Sequence, residues 1–314
     1  MTAPSHRDHA ARGAFLRACA LDVQVRKPGN VSIHSAGHGM DAAQFLASAE
    51  AAAGPLFEPG ARVGPRIEAA VRATWAVAGC NTNLGILLLC APLALAVERH
   101  PQARTADALR VAVTQVLGDL DRADAAAAFR AISQANPGGL GRAAQQDVQH
   151  EPSIDLRAAM ALAADRDSIA AQYRDGYAMV FDTALPALGT AIGLTAGNPP
   201  DAATAASNPP DAATAASVQR AFLALLSHVP DSHIARKRGL SVATVVMHQA
   251  QAWHARALAG AALGADPAFV AWDAALKADG INPGTTADLL VAGMMVSGLM
   301  SGGLAPRSHP PQPS

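Results

Sequence analysis

Apolar residues recur every three to four positions along most of the chain, which is the period of a helix with one buried face. This pattern predicts helices over residues 10–25, 41–53, 63–78, 84–98, 105–117, 122–133, 154–187, 218–227, 240–263, 267–278 and 283–299. Asp41 and Thr105 are predicted helix N-caps. Since no hairpin signal and no alternating five-residue run stands out, we expect an all-α fold of about ten to twelve helices.

The predicted organisation is a single globular bundle over residues 1–301. One interruption is the segment NPPDAATAAS at residues 198–207, which is repeated without change at 208–217. We interpret these residues, 198–217, as a tolerated surface insertion with no part in chemistry. The tail at 302–314 is rich in Pro, Ser and Gly and is predicted to be disordered.

Composition narrows the function classes. The formal net charge is −1, so no basic surplus favours a nucleic-acid or membrane partner. The longest apolar run, residues 84–97, is too short to span a bilayer. Cys19, Cys80 and Cys90 form no CxxC pair, and no secretory signal is visible, so we expect free thiols in a reducing cytoplasm. Assembly as a homodimer stays open.

Three short motifs rich in Gly, Pro and Asn border long apolar helical patterns: KPGN at 27–30, NTNLG at 81–85 and NPGTTAD at 282–288. A helix N-terminus exposes unpaired backbone N–H groups and carries a partial positive charge, so it binds phosphate well. Three such positions predict a polyphosphate site. Ordinary capping is the alternative, but a cap needs one hydrogen-bonding side chain and NTN offers three.

Two further segments carry candidate charges. Asp231 and Ser232 read as a helix start, and Arg236 and Lys237 follow within one short helix. This set is suited to clamping a triphosphate, with Asp231 on Mg²⁺; a solvated basic turn is the alternative. Glu68 is either a buried carboxylate or magnesium ligand, or one solvated acid beside neighbouring arginines.

Weaker signals complete the candidates. His34 and His38 are four residues apart, a metal-ligand spacing on a helix, but flanking glycines favour polar loop histidines. The GGLG segment at 138–141 either lets the backbone approach a phosphate closely or forms an ordinary turn. Cys80 borders the NTNLG motif and is the one candidate for a reactive thiol.

Taken in order, four of these features resemble the triphosphoribosyl-dephospho-CoA synthase family: KPGN, Glu68 on the helix leading to Asn81-Thr82, the Asp231 segment, and PGTTADLL at 283–290. The resemblance extends over residues 18–299. It implies an all-α enzyme that takes ATP and 3′-dephospho-CoA, forms a ribosyl–ribose linkage and releases adenine. In the family the product is the precursor of a prosthetic group on acyl carrier subunits of citrate or malonate decarboxylating enzymes.

The resemblance suggests a role for each candidate. Glu68, Asp231 and Asp288 would supply the base and the Mg²⁺ ligands, and Asn30 and Asn83 would orient the sugar or the adenine. The remaining predicted binding residues would hold ATP and its phosphates: Lys27, Gly29, Asn81, Thr82, Gly85, Ser232, Arg236, Lys237, Gly284, Thr285 and Thr286.

The chain departs from the family pattern at one motif. Members used in citrate and malonate metabolism typically read NTHKG, whereas residues 81–85 here read NTNLG, without the His and the Lys. Residues 136–182 are similar to a divergent subgroup of methanogens and of methylotrophs that use tetrahydromethanopterin. Three alternatives follow: a ribosyl transfer in tetrahydromethanopterin-type cofactor assembly, a Mg²⁺-dependent nucleotide hydrolase, or a non-catalytic helical binding module.

Overall fold

Helices account for nearly all regular structure in the computed structural model of this protein, which describes residues 6–35, 40–137, 145–189 and 208–301. Fourteen α-helices occur in these residues: α1 His6–Gln24, α2 Ala42–Leu56, α3 Val63–Ala78, α4 Leu84–Arg99, α5 Ala106–Gly118, α6 Arg122–Ala135, α7 Leu156–Ala161, α8 Ser168–Asp175, α9 Leu185–Leu188, α10 Ala212–Leu226, α11 Ser232–Arg238, α12 Leu240–Leu258, α13 Pro267–Ala278 and α14 Gly284–Ser301. A π-helical turn, Met179–Ala184, leads into α9, and a 3₁₀ turn, Leu263–Ala265, precedes α13. The described residues contain no β-strand, and an isolated bridge joins Ser32 to Ser35. The predicted all-α fold is confirmed.

Two helices with apolar residues on every side form the centre of the core. In α4, every residue from Ile86 to Val97 is buried. Most of α14 is buried as well, including Met294 and Met295, and α14 packs against both α4 and α1. A helix that is apolar all round needs protein on all sides, so the other helices surround this pair. None of the helices in the described part of the chain is long and apolar enough to cross a membrane.

A proline inside α4 explains how α8 is attached to it. Pro92 has no N–H, so the carbonyl of Leu88 loses its intrahelical partner. The hydroxyl of Tyr173, on α8, donates to that carbonyl at 2.7 Å. Tyr177 donates to the carbonyl of Leu89, also at 2.7 Å, and both tyrosines are fully buried. These bonds fix α8 beside α4, which places the first turns of the two helices near one another.

The structure corrects several predicted boundaries. Residues 154–187 form α7, α8 and α9 rather than one helix, because Asp167 caps a new helix and Gly176, with φ of 62°, ends it. The second copy of the repeat contributes to a helix: Asp211 caps α10, and Ser217, the last residue of the copy, is 2% exposed. The first copy at 198–207 and the tail at 302–314 lie outside the described residues.

Candidate active site

A cavity of about 1540 Å³ lies where the first turns of α4, α8 and α14 meet. Each of these helices is at least eight residues long and directs its N-terminal residues at this cavity. The short helix α11 adds one more wall. Eleven of the residues predicted from the sequence line the cavity: Asn30, Asn81, Thr82, Asn83, Gly85, Ser232, Arg236, Lys237, Gly284, Thr285 and Asp288.

The NTNLG motif forms the start of α4 and presents polar atoms to the cavity. The side-chain oxygen of Asn81 accepts from the N–H of Leu84 at 3.1 Å, whereas Asn83, at the N-cap position of α4, makes no side-chain capping bond. Thr82 and Asn83 are both under a tenth exposed. Within the described residues, neither the Thr82 hydroxyl nor the Asn83 amide nitrogen has a hydrogen-bond partner. Because buried polar groups are nearly always bonded, these two atoms are suited to a ligand.

The first and last motifs meet at the start of α14. The amide of Asn30 donates to the side-chain oxygen of Asn282 at 3.0 Å. Gly29, with φ of 77°, packs so closely that a Cβ there would lie 2.7 Å from the carbonyl oxygen of Ile281. Gly29 is therefore a close-packing residue rather than part of the cavity lining. Thr285, 3% exposed, lines the cavity one residue inside α14.

Two carboxylates line the cavity, one on α14 and one on α1. Asp288 lies on the second turn of α14, over Gly85 of α4, where a Cβ would come within 2.0 Å of its Oδ2. Asp22, near the end of α1, is 4% exposed and also lines the cavity. Burial raises the pKa of Asp288 well above its usual range, and the negative charges of Asp22, Asp231 and Asp167 add to that increase.

Lys27 does not line the cavity, contrary to its predicted phosphate-binding role. Its side chain is fully buried, and its ammonium donates to the main-chain oxygen of Asp22 and lies 3.2 Å from Asp22 Oδ1. Burial lowers the pKa of Lys27 and raises that of Asp22. The buried ammonium of Lys27 therefore neutralises and positions the carboxylate of Asp22, and it is not available to bind a phosphate.

Asp231 and Thr286 are also used within the protein. Asp231 Oδ1 accepts from the N–H of Ile234 at 3.0 Å and so caps α11. Its Oδ2 accepts from both the N–H and the hydroxyl of Thr286, each at 2.7 Å. Asp231 thus joins the start of α11 to the start of α14. Since both oxygens are bonded and neither residue lines the cavity, the predicted metal and substrate roles do not fit their placement.

Glu68 lies away from the cavity, between α3 and α6. Its carboxylate accepts from Arg130 at 2.9 and 2.7 Å and from Arg72 at 3.2 Å. The hydrogen bonds from Arg130 lower its pKa, which is opposite to the raised pKa expected of a buried acid. Of the two interpretations of Glu68, the solvated acid beside arginines is the one the structure supports, although the main partner is Arg130.

The predicted magnesium site is not assembled. Glu68, Asp231 and Asp288 belong to three different surroundings, and the described part of the chain has no group of three or more His, Cys, Asp or Glu side chains that could hold a metal ion. The three predicted acids therefore do not form one Mg²⁺ site. His34 does not line the cavity, and His38 and the GGLG segment at 138–141 lie outside the described residues.

The sequence reasoning missed the contribution of α8. Asp167 Oδ1 caps α8 by accepting from Ile169 and Ala170, and its Oδ2 accepts from Arg236 at 3.0 Å. The N–H of Ser168 donates to the hydroxyl of Ser232 at 2.8 Å. This network fixes Arg236 at the cavity wall, while Lys237 is exposed at the rim. An Asp-Ser pair before an apolar run is an N-cap signal that the sequence did contain.

Comparisons with known proteins agree with this architecture. A family model described as ATP:dephospho-CoA triphosphoribosyl transferase, CitG, matches residues 9–306. No curated protein matches the chain. Among solved structures, the chain is similar to that of an Archaeoglobus fulgidus protein provisionally described as a triphosphoribosyl-dephospho-CoA synthase, with a TM-score of 0.59, 20% identity, and coverage of 82% of this chain and 98% of that chain.

The two comparisons carry different weight. At 20% identity, the structural likeness establishes a shared fold. The family model, in contrast, covers nearly the whole chain, including every helix that lines the cavity. The chain therefore belongs to the CitG family and is a transferase of the triphosphoribosyl-dephospho-CoA synthase type.

Proposed function

We propose that this enzyme transfers the triphosphoribosyl group of ATP to dephospho-CoA and releases adenine, and that the reaction takes place in the cavity at the starts of α4, α8 and α14. The observation that carries this proposal is the combination of three helix N-termini with two carboxylates in one cavity, that of Asp22 buried and that of Asp288 partly buried. Helix N-termini bind the phosphates of a triphosphate, and carboxylates assist the cleavage of a glycosidic bond.

The polar wall supports the choice of a polyphosphate donor. All three helix starts carry a partial positive charge. At α8 the N–H groups of Ser168, Ile169 and Ala170 are already bonded to Ser232 and Asp167, so the backbone N–H groups for a ligand would come from the starts of α4 and α14. Arg236 adds a guanidinium whose Nε has no hydrogen-bond partner among the described residues. The Thr82 hydroxyl and the Asn83 amide supply further donors. Such a set is suited to holding anionic oxygens.

The acid pair supports a step at the anomeric carbon. The bond from that carbon to adenine breaks, and its electron pair leaves with adenine. A hydroxyl of the acceptor forms the new bond, and Asp288 takes the proton of this hydroxyl. Positive charge develops on the ribose in such a reaction, and the carboxylates of Asp22 and Asp288, which both line the cavity, are available to stabilise it. The proton on Asp288 then passes through solvent to the departing adenine, so the acceptor loses one proton, adenine gains one and the Asp288 carboxylate is regenerated.

The size of the cavity supports the presence of two substrates. Its volume of about 1540 Å³ exceeds the roughly 300–1,000 Å³ of a typical site for one small molecule. Asn83 and Leu84, where the chain departs from the NTHKG pattern, both line this cavity. The identity of the acceptor is therefore the part of the proposal that most needs a direct test.

The test is to incubate the protein with magnesium ATP, with and without dephospho-CoA, and to follow adenine and products by mass spectrometry. We expect adenine and a triphosphoribosylated dephospho-CoA in equal amounts, both dependent on the acceptor. Adenine or phosphate released equally without dephospho-CoA would identify a nucleotide hydrolase instead. Adenine release that requires a pterin-type acceptor in place of dephospho-CoA would overturn the acceptor assignment and keep the donor.

A further inference from the structure

One side of the cavity is apolar rather than polar. Met40 and Phe45, at the start of α2, and Trp75, in the last turns of α3, all line it. We refer to these three residues as the apolar wall. The amide of Gln44 donates to the carbonyl of Ala78 at 3.0 Å and lies 3.5 Å from the sulfur of Cys80, so the start of α2 is held against the end of α3. The apolar wall therefore adjoins the NTNLG motif.

Trp75 is exposed to the cavity, so its indole is available to contact a ligand. Its side chain is 36% exposed, whereas the other two tryptophans, Trp253 and Trp272, stack on each other with ring centroids 6.0 Å apart and do not line the cavity. Aromatic residues make up 4% of this chain. An indole that is exposed at the edge of the substrate cavity leaves a large apolar surface available for contact with a ligand. Aromatic side chains at such positions bind apolar or uncharged ligand groups.

The occupant can be chosen by chemistry, on the basis of the proposed function. ATP is an adenosine that carries a highly charged triphosphate, and the helix N-termini would bind that triphosphate. Dephospho-CoA carries, beyond its adenosine diphosphate, a long pantetheine arm that is uncharged and mostly aliphatic. An adenine ring would need hydrogen-bond partners for its ring nitrogens. The amide of Gln44 beside the wall is already bonded to Ala78, which leaves the wall suited to the arm.

We propose that the apolar wall is the binding subsite for the pantetheine arm of the acceptor, with Trp75 as its main contact. The adenosine diphosphate part of the acceptor then extends from this wall towards the start of α4. This inference rests on the proposed function, because it takes dephospho-CoA as the acceptor. It adds a specificity element that lies apart from the anion-binding helix starts and from the carboxylates.

Equilibrium binding of three ligands tests the proposal: dephospho-CoA, ADP, which lacks the arm, and ATP. Trp75→Ala should weaken binding of dephospho-CoA roughly tenfold, by loss of buried apolar contact, and leave ADP and ATP within about twofold. Val77→Ala is the matched control, because Val77 is 55% exposed on the same helix and does not line the cavity. It should change none of the three affinities. In the wild type, dephospho-CoA should also alter tryptophan fluorescence, and Trp75→Phe should remove most of that change.

The possible outcomes separate the two proposals. Equal affinity of Trp75→Ala and the wild type for dephospho-CoA would overturn the pantetheine subsite and leave the proposed function standing. Equal weakening of all three ligands would mean that the wall stacks an adenine ring, which also overturns the subsite. If wild-type protein binds ATP but not dephospho-CoA, the acceptor assignment itself is wrong, and the subsite is overturned with it.

Discussion

Glu68 and Asp288 were predicted to do the same work, and the structure gives them opposite surroundings. Glu68 lies between α3 and α6, where Arg130 and Arg72 bond its carboxylate and lower its pKa. Asp288 lies at the cavity on α14, where burial and neighbouring carboxylates raise its pKa well above the usual range. The two acids differ in what surrounds them rather than in their own chemistry.

This difference decides which of the two can act as a base. A carboxylate that is neutralised by arginines is a stable anion with little tendency to take a proton. A carboxylate held in a buried site without a cationic partner of its own binds a proton more readily. The positive charge of Arg236 favours the ionised form of Asp288, but Arg236 is itself paired with Asp167. Asp288 is therefore the better candidate for proton transfer.

The largest effect is expected from Asp288→Asn. Loss of a general base typically lowers the rate roughly 10²- to 10⁴-fold, and we expect a loss of adenine release in that range. The measurement is turnover of ATP and dephospho-CoA by chromatography, together with the affinity for ATP, which should change little. A rate within a few-fold of the wild type would remove Asp288 from the chemistry and end the contrast with Glu68.

Gly85→Ala tests the position of Asp288 rather than its charge. The added Cβ would lie 2.0 Å from Asp288 Oδ2 and 2.6 Å from Ile169 Cδ1, so the carboxylate or the start of α8 must move. A displacement of about 1 Å can cost on the order of 100-fold in rate, and we expect a loss of that size in turnover. Overpacking should also destabilise the fold by about 1–3 kcal/mol.

Gly54→Ala is the control for this substitution. Gly54 is exposed on α2, and a Cβ there would meet nothing within 4 Å. It should keep full activity, and because Pro55 follows Gly54 in the helix, no gain in stability is expected. Should Gly85→Ala retain normal turnover, the close approach of Asp288 to α4 has no part in catalysis.

Asp231→Ala tests the third acid of the predicted set. Asp231 is as deeply buried as Asp22, but all of its hydrogen bonds are internal. Its loss removes a helix cap and leaves Thr286 without its acceptor, so we expect about 2–4 kcal/mol of destabilisation in urea unfolding. A variant of normal stability that cannot turn over would return Asp231 to the chemistry.

The helical fold and the positions of the helix starts were predictable because both depend on local sequence. The 3.6-residue period shows which segments are helices, and Asn or Thr beside Gly and Pro marks where α4 and α14 begin. The polar contact of Asn30 with Asn282 agrees with the prediction that distant motifs meet. The helix period and the helix starts need no knowledge of the remaining packing, whereas the contact of Asn30 with Asn282 is tertiary.

The roles of the charged residues were not predictable in the same way. Whether Lys27 is free or paired depends on Asp22, five residues earlier, being turned towards it in the core. Whether Glu68 is solvated depends on Arg130, 62 residues away in sequence. Asp167 and Ser168 were missed because their importance depends on Tyr173 fixing α8 to the proline-interrupted α4. Tertiary packing sets the environment of a charge, and one sequence does not contain that packing explicitly.

The pH dependence of turnover provides a smaller and graded test. If Asp288 must be ionised to act, kcat should rise with pH through its raised pKa, above the ordinary 3.8, and fall about tenfold for each pH unit below it. Because the folded-state pKa is raised, the stability contribution of protonated Asp288 is complete below 3.8 and is lost as pH rises through the folded pKa. A flat profile down to the ordinary aspartate range would contradict the assignment.

The smallest effect is expected from Glu68→Gln, which sharpens the comparison from the other side. The substitution removes a negative charge that forms ion pairs with Arg130 and Arg72, both well exposed, and such pairs contribute less than about 1 kcal/mol. Turnover, ATP affinity and the acidic limb of the pH profile should match the wild type, because Glu68 does not line the cavity. A large loss of turnover in a stable Glu68→Gln variant would mean that α3 and α6 belong to the active site. The conclusion that Asp288, and not Glu68, takes part in the reaction would then be wrong.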